Sequence, residues 1–197
     1  MLAMPVRPRL AFAGLRSDDP EDLEARQEPV LAVVLLAGIG GILATPAWHT
    51  LMDNSERDAI VVAVFTFIGG GLYGTAGYFM VGGALHLALR SLGTTWTYRT
   101  SRHLLALASV PLVLSLAVLP VELAGYGGDA FRSGGPYDGA PRTAFMLIRL
   151  AFVAWTLGLV ALGIRELEGW PWTRIAGAAG LFVLFLAAIL AVPAALL

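Results

Sequence analysis

The sequence has no cysteine among its 197 residues, which excludes a disulfide framework, a thiol nucleophile and a thiolate metal site. Lysine is absent as well, so all 13 basic residues are arginines, a bias that follows genome composition and carries no mechanism. Charge of either sign is sparse. Asp, Glu, Lys and Arg make up 14% of the chain against 57% hydrophobic residues, too little to cover a soluble domain of this length, and the chain falls in the membrane class. The formal net charge of -1 provides no basic field of the kind that gathers nucleic acid, so nucleic-acid binding is disfavoured.

Long apolar runs are what the chain has in abundance. A helix needs about 20 mostly apolar residues to cross a bilayer, where every backbone polar group must be paired internally. Five segments meet that length, at approximately 29–48, 59–89, 104–124, 144–164 and 175–197. The predicted fold is therefore an all-α, polytopic membrane bundle of five transmembrane helices, preceded by a tail over 1–28. The second run is longer than one bilayer core, so it is expected to tilt, project or bend near Gly69-Gly70-Gly71.

In the tail, "DDPEDLEARQ" predicts a short surface helix, with Asp19 as N-cap, Pro20 in the first turn and acids against the positive end of the dipole. Residues 1–16 carry no such signal and are expected to be disordered. Arg7, Arg9, Arg16 and Arg26 stand among six acids, which suits an uncleaved first span better than a secretory leader; "ATPA" at 44–47 is only a weak cleavage match.

Arginine placement sets the orientation. Nine arginines fall in the tail and in the second and fourth connections (Arg90, Arg99, Arg102, Arg165 and Arg174 beside the four of the tail), against Arg57, Arg132 and Arg142 on the other side. By the positive-inside rule the N-terminus is cytoplasmic and the C-terminus outside. Trp48, Trp96, Tyr98, Trp170 and Trp172 lie where headgroup-level aromatic belts are expected. The connection over 125–143, rich in glycine and proline, reads as a flexible outer loop.

Of the ionisable residues inside spans, where a charge costs about 2.5–3.5 kcal/mol on insertion scales, two stand out. Glu122 lies near the outer end of the third span and Arg149 about two turns into the fourth, at similar depth. Three uses are open: an ion pair that fixes helix register, a pair lining a polar cavity, or an Arg149 that snorkels to the headgroups.

His86 and Arg90 share one helical face, and Arg99, Arg102 and His103 follow in the next connection. No carboxylate stands near enough to complete a metal site. Three arginines and two histidines beside the inner leaflet suit anionic headgroups, at about 1 kcal/mol per basic residue, or serve only to set topology. Gly70 and Gly74 have small-xxx-small spacing and Gly77 follows one turn later, a pattern for close helix contact within or between subunits. A serine or threonine nucleophile with a neighbouring base is missing, and so is an intramembrane protease motif; no catalytic residue and no cofactor is expected.

"ALHLALRSLGTTWTYRTSRHLLALASVPLVLSL" resembles the central part of the Yip family, first known as interactors of Rab-type GTPases, in its prokaryotic branch. His86, Leu92-Gly93-Thr94, Tyr98-Arg99 and Pro111 occupy the places of the family's inner histidine, small-residue turn, polar stretch and early proline. "LGIRELEGWPWTRIAGAAG" looks like the family's link into its last span, and the resemblance covers roughly residues 30–197. It implies five spans with a cytoplasmic N-terminus and a non-enzymatic membrane protein of the bacterial cytoplasmic membrane. Its partners would be membrane lipids, a membrane-protein partner or further copies of itself. The usual glycine pair is here Gly93-Thr94, and the tail lacks the aspartate-leucine-tyrosine-glycine-proline signature of eukaryotic members, which puts a GTPase partner in doubt. The alternative function is a small permease or channel subunit in which Glu122 and Arg149 line the pathway.

Overall fold

The computed structural model describes residues 7–16, 20–43, 45, 52–53 and 58–195, the side chains of 16, 20–27, 59 and 190–195 excepted. Asp19, Trp48, Arg57 and most of the "ATPA" segment lie outside the described residues. Helices α1 (Pro8–Ala13), α2 (Pro20–Leu43), α3 (Ala59–Ser91), α4 (Tyr98–Ala108), α5 (Val110–Leu114), α6 (Val118–Tyr126), α7 (Ala140–Glu168) and α8 (Trp172–Ala195) follow one another, with no strand among the described residues.

Among the described residues, four segments are long and apolar enough to cross a membrane: Ile60–Ser91, Tyr98–Phe131, Ala140–Glu168 and Trp172–Ile189. The first expected span appears as a shorter apolar helix, Glu28–Leu43. It is continuous with the predicted surface helix, because α2 runs from Pro20 to Leu43 and takes Pro29 into its interior. Large apolar side chains such as Phe67, 72% exposed, stand outward on α3 and need lipid as solvent.

Helix boundaries follow local chemistry. Asp58 Oδ1 accepts the backbone N–H groups of Ile60 and Val61 at 3.0 and 2.9 Å, capping the start of α3. The 33 residues of α3 continue unbroken through Gly69-Gly70-Gly71, about 50 Å at 1.5 Å per residue, so the excess over one bilayer core is taken up by length. The helix stops where Gly93 takes φ +92°: Gly93 N–H donates to Arg90 O and Thr94 N–H to Leu89 O, the paired bonds of a Schellman stop. In the third apolar run the helical ladder breaks after Ala108 and tightens to a 3-10 turn at Ser115–Ala117. Both interruptions precede a proline, since Pro111 and Pro120 have no N–H for the carbonyl four residues back. The Ser115 hydroxyl donates to Leu112 O at 2.6 Å.

The chain forms two compact units. The first comprises Met1–Ala32, Ala76–Ala108 and Leu157–Leu197. Here the disorder expected over 1–16 is corrected for the described part of that stretch, residues 1–6 lying outside the described residues: Pro8–Ala13 is helical, Phe12 is fully buried, and it packs with Leu104 around Gly163. A Cβ on Gly163 would lie 2.3 Å from Leu104 Cδ1 and 3.0 Å from Phe12 Cε1, so the seat for Phe12 exists only because position 163 has no side chain.

The second unit comprises Val33–Thr75 and Ser109–Thr156. Leu43, Val62, Ala130 and Phe131 make its core, with Ile39, Ile42, Met52, Leu116 and Leu119 packed against them. The connection expected to be a flexible loop is ordered instead. Its first part is a 3-10 turn, Gly127–Phe131, and Ala130, Phe131 and Tyr137 are buried. Aromatic side chains among the glycines have an apolar place to go, and composition alone hides this.

Candidate functional site

In the first unit the polar connection after α3 and the start of α4 carry the predicted interface residues. Arg90 is exposed at the last turn of α3, and Arg99 is half-buried near the start of α4. Arg102 is turned inward. Its stem lies against Gly82, where a Cβ would sit 2.6 Å from Arg102 Cγ. Its guanidinium carbon is 4.4 Å from the Tyr98 ring centre, 4.7 Å from Phe79 and 5.0 Å from Tyr78, a three-ring cation–π cage. The Tyr98 hydroxyl closes the cage by donating to Phe79 O at 2.7 Å.

The histidines are also drawn into packing. His86 Nδ1 lies 3.3 Å from Ser101 Oγ, its ring is 5.8 Å from the Tyr98 ring, and His103 is only 5% exposed. The five residues predicted to face lipid or partner thus differ in place: Arg90 is exposed, Arg99 is half-buried, His86 and Arg102 make contacts at the α3–α4 corner, and His103 is buried. Among the described residues no group of three or more metal-ligating side chains occurs.

Two further arginines of the same unit flank the connection between α7 and α8, Arg165 in the last turn of α7 and Arg174 in the first turn of α8. Arg165 stacks 4.6 Å over Trp172, and Arg174 stacks 3.9 Å over Trp170 while donating to Leu92 O. Thr94 donates to Glu168 across the two connections. Sequence reading placed these arginines and tryptophans at membrane edges separately. Their pairing depends on the turn at Gly169, with φ +69°, whose N–H donates to Arg165 O at 2.8 Å.

In the second unit Glu122 and Arg149 form an ion pair, 2% and 5% exposed. Sequence reading missed the third member, because it lies in the connection taken for a flexible loop. Tyr137 is fully buried and donates its hydroxyl to Glu122 Oε1 at 2.7 Å, so both carboxylate oxygens are satisfied. Burial, and next the bond to Glu122, raise the Tyr137 pKa above its ordinary value, and the phenol stays a donor. Tyr126 and Phe145 enclose its ring at 5.2 and 6.1 Å between centres. Arg142 bridges to Asp138 at 2.6 Å and donates to Arg132 O at 3.2 Å. Asp53 accepts from Ser133 N–H at 2.8 Å and from its hydroxyl at 2.7 Å, bonds that lower the Asp53 pKa.

Gly70 and Gly74 lie at a close approach between α2 and α3. A Cβ on Gly38 would fall 2.1 Å from Gly70 O, and one on Gly74 would fall 2.2 Å from Val34 O. Gly77, by contrast, has open space around it.

Apolar helices of bilayer length, with their few interior charges paired or caged, define a polytopic helical membrane protein. The Yip1 domain profile matches residues 2–194, and the chain belongs to the Yip1 domain family. The match extends the resemblance, read from about residue 30 onward, into the tail that holds Phe12. No curated protein and no solved structure gives a significant match.

Proposed function

We propose that this protein is a non-catalytic organiser of membrane lipid or partner proteins, acting through the connections at residues 90–103 and 165–174 on the cytoplasmic side. In this reading the first apolar helix completes a fifth span, the N-terminus is inside and the C-terminus outside, and the membrane is the bacterial cytoplasmic membrane. The positive-inside count supports the orientation.

One observation carries the reading. Charges within the apolar helices are consumed internally, Glu122 with Arg149 and Tyr137, and Arg102 in its aromatic cage, whereas Arg90 is exposed at the end of α3 and Arg99 is half-exposed at the start of α4. A permeation pathway needs an accessible polar lining, and the burial of both Glu122 and Arg149 favours the organising role over a permease or channel subunit.

The test is native mass spectrometry of the detergent-solubilised protein titrated with phosphatidylglycerol. Arg90→Ala with Arg99→Ala should weaken lipid retention by at least about tenfold, given about 1 kcal/mol per cation beside an anionic surface. Retention unchanged in that double variant removes the 90–103 connection from the lipid arm of the proposal; a co-purifying partner protein lost in the same variant would direct it to protein organisation.

A further inference from the structure

The last turn of α7 contains a cation prepared for a ligand. Arg165 is exposed, and its guanidinium carbon lies 4.6 Å over the ring of Trp172, itself 52% exposed. The contact is a cation–π attraction, which engages the guanidinium through its charge and leaves its N–H groups without an oxygen acceptor from the indole. The N–H donors lie in the guanidinium plane and keep their fork geometry for an oxyanion. The stack also restricts a side chain that otherwise loses much rotamer freedom on binding.

Neighbouring carboxylates are engaged elsewhere. Glu166 faces Arg9 at 3.9 Å, and Glu168 accepts from Thr94. No acid pairs with Arg165 among the described residues. A second cation follows close by in sequence: Arg174 lies over Trp170 at 3.9 Å and is anchored to Leu92 O, and the two tryptophans are separated only by Pro171.

We propose that Arg165, held against Trp172 and followed in sequence by Arg174, is a seat for the phosphodiester of an anionic phospholipid. The indole of Trp172 offers an apolar, partly exposed surface at the start of α8, where the glycerol and upper acyl segment of a lipid would lie beside the guanidinium that binds its phosphate. A free phosphate shares the anionic chemistry but has no apolar part for the indole. The assignment rests on the reading above that this end of the helices meets an anionic leaflet, and it names a headgroup site distinct from Arg90 and Arg99.

The experiment uses the full chain in detergent, with native mass spectrometry read against phosphatidylglycerol, phosphatidylcholine and inorganic phosphate. Arg165→Gln should reduce phosphatidylglycerol affinity about five-fold, the worth of one cation at such a surface, and leave phosphatidylcholine unaffected. Trp172→Ala, which keeps the charge and removes the stack, should reduce it about two-fold by releasing the guanidinium. A melting midpoint equal to wild type shows that either change is local. Unchanged affinity in both variants, with a loss in Arg90→Ala/Arg99→Ala, overturns the seat and leaves the leaflet reading standing. Unchanged affinity in all three overturns both. Displacement of phosphatidylglycerol by millimolar inorganic phosphate in wild type but not in Arg165→Gln overturns the lipid as ligand in favour of a soluble anion.

Discussion

The hydroxyl of Tyr137 donates to Glu122 at 2.7 Å, and the other oxygen of the same carboxylate takes Arg149. A residue from a connection therefore completes an ion pair made between two apolar helices. A buried pair is neutral overall, but each charge depends on its partner to offset desolvation.

Removing one side of the pair should cost far more than removing all of it. Glu122→Ala leaves Arg149 buried without its counter-ion and is expected to destabilise by about 3–5 kcal/mol. Glu122→Leu, Arg149→Leu and Tyr137→Phe together should cost less than half of that. Chemical unfolding in detergent measures both, and strictly additive effects would show that the three side chains are not coupled.

Tyr137→Phe removes one hydrogen bond to a carboxylate and should cost about 1.5–3 kcal/mol. Its local signature is faster proteolytic cleavage between residues 132 and 139. A cleavage rate equal to wild type would mean that the Asp53–Ser133 and Asp138–Arg142 contacts hold this segment without it.

Asp53 gives the same segment an acid dependence. Its pKa is lowered in the folded protein by the two bonds from Ser133, so its contribution to stability is fully present above the ordinary value of 3.8 and is lost as pH falls through the folded value. Protection of the Ser133 amide against hydrogen exchange, corrected for the intrinsic rate, should hold from neutral pH down to that range and then fall. Asp53→Ala should show the low-protection state at every pH, and equal protection in variant and wild type at neutral pH would refute the tie.

Gly38→Ala and Gly74→Ala each place a methyl group against backbone that has no room to yield, and overpacking of this kind costs about 1–3 kcal/mol. Gly77→Ala meets nothing within 4 Å and should be neutral or slightly stabilising. Equal unfolding midpoints for the Gly74 and Gly77 variants would place the close α2–α3 approach in doubt.

Arg102→Ala is expected to behave as a packing variant. It empties the cage of Tyr78, Phe79 and Tyr98 and should lower stability by about 0.5–2 kcal/mol while leaving phosphatidylglycerol retention intact. Loss of lipid binding at unchanged stability would return Arg102 to the interface.

The class of this protein is legible in its sequence because bilayer insertion depends on local quantities: the length of an apolar run, the rarity of charge within it, and prolines that remove N–H groups. The apolar runs at 59–89 and 144–164 lie within α3 and α7, and Pro111 and Pro120 fall beside the breaks in the third run. Glu122 and Arg149 are also conspicuous in sequence, since a charge in an apolar helix calls for a partner at its own depth.

What only the tertiary structure decides is which side chains remain available. Arg99 and Arg102 are three residues apart on α4 and both are half-buried, yet it is Arg102 whose guanidinium lies among aromatic rings drawn from α3 and α4. Tyr137 and Phe12 lie in stretches without apolar periodicity, so local pattern assigned them to loop and disorder. They are buried because distant residues, Glu122 for one and Gly163 with Leu104 for the other, provide a hydrogen-bond acceptor and an empty space of the right size. Such contacts depend on chain segments 15 or more residues apart meeting in three dimensions, and neither hydropathy nor local spacing encodes which segments meet.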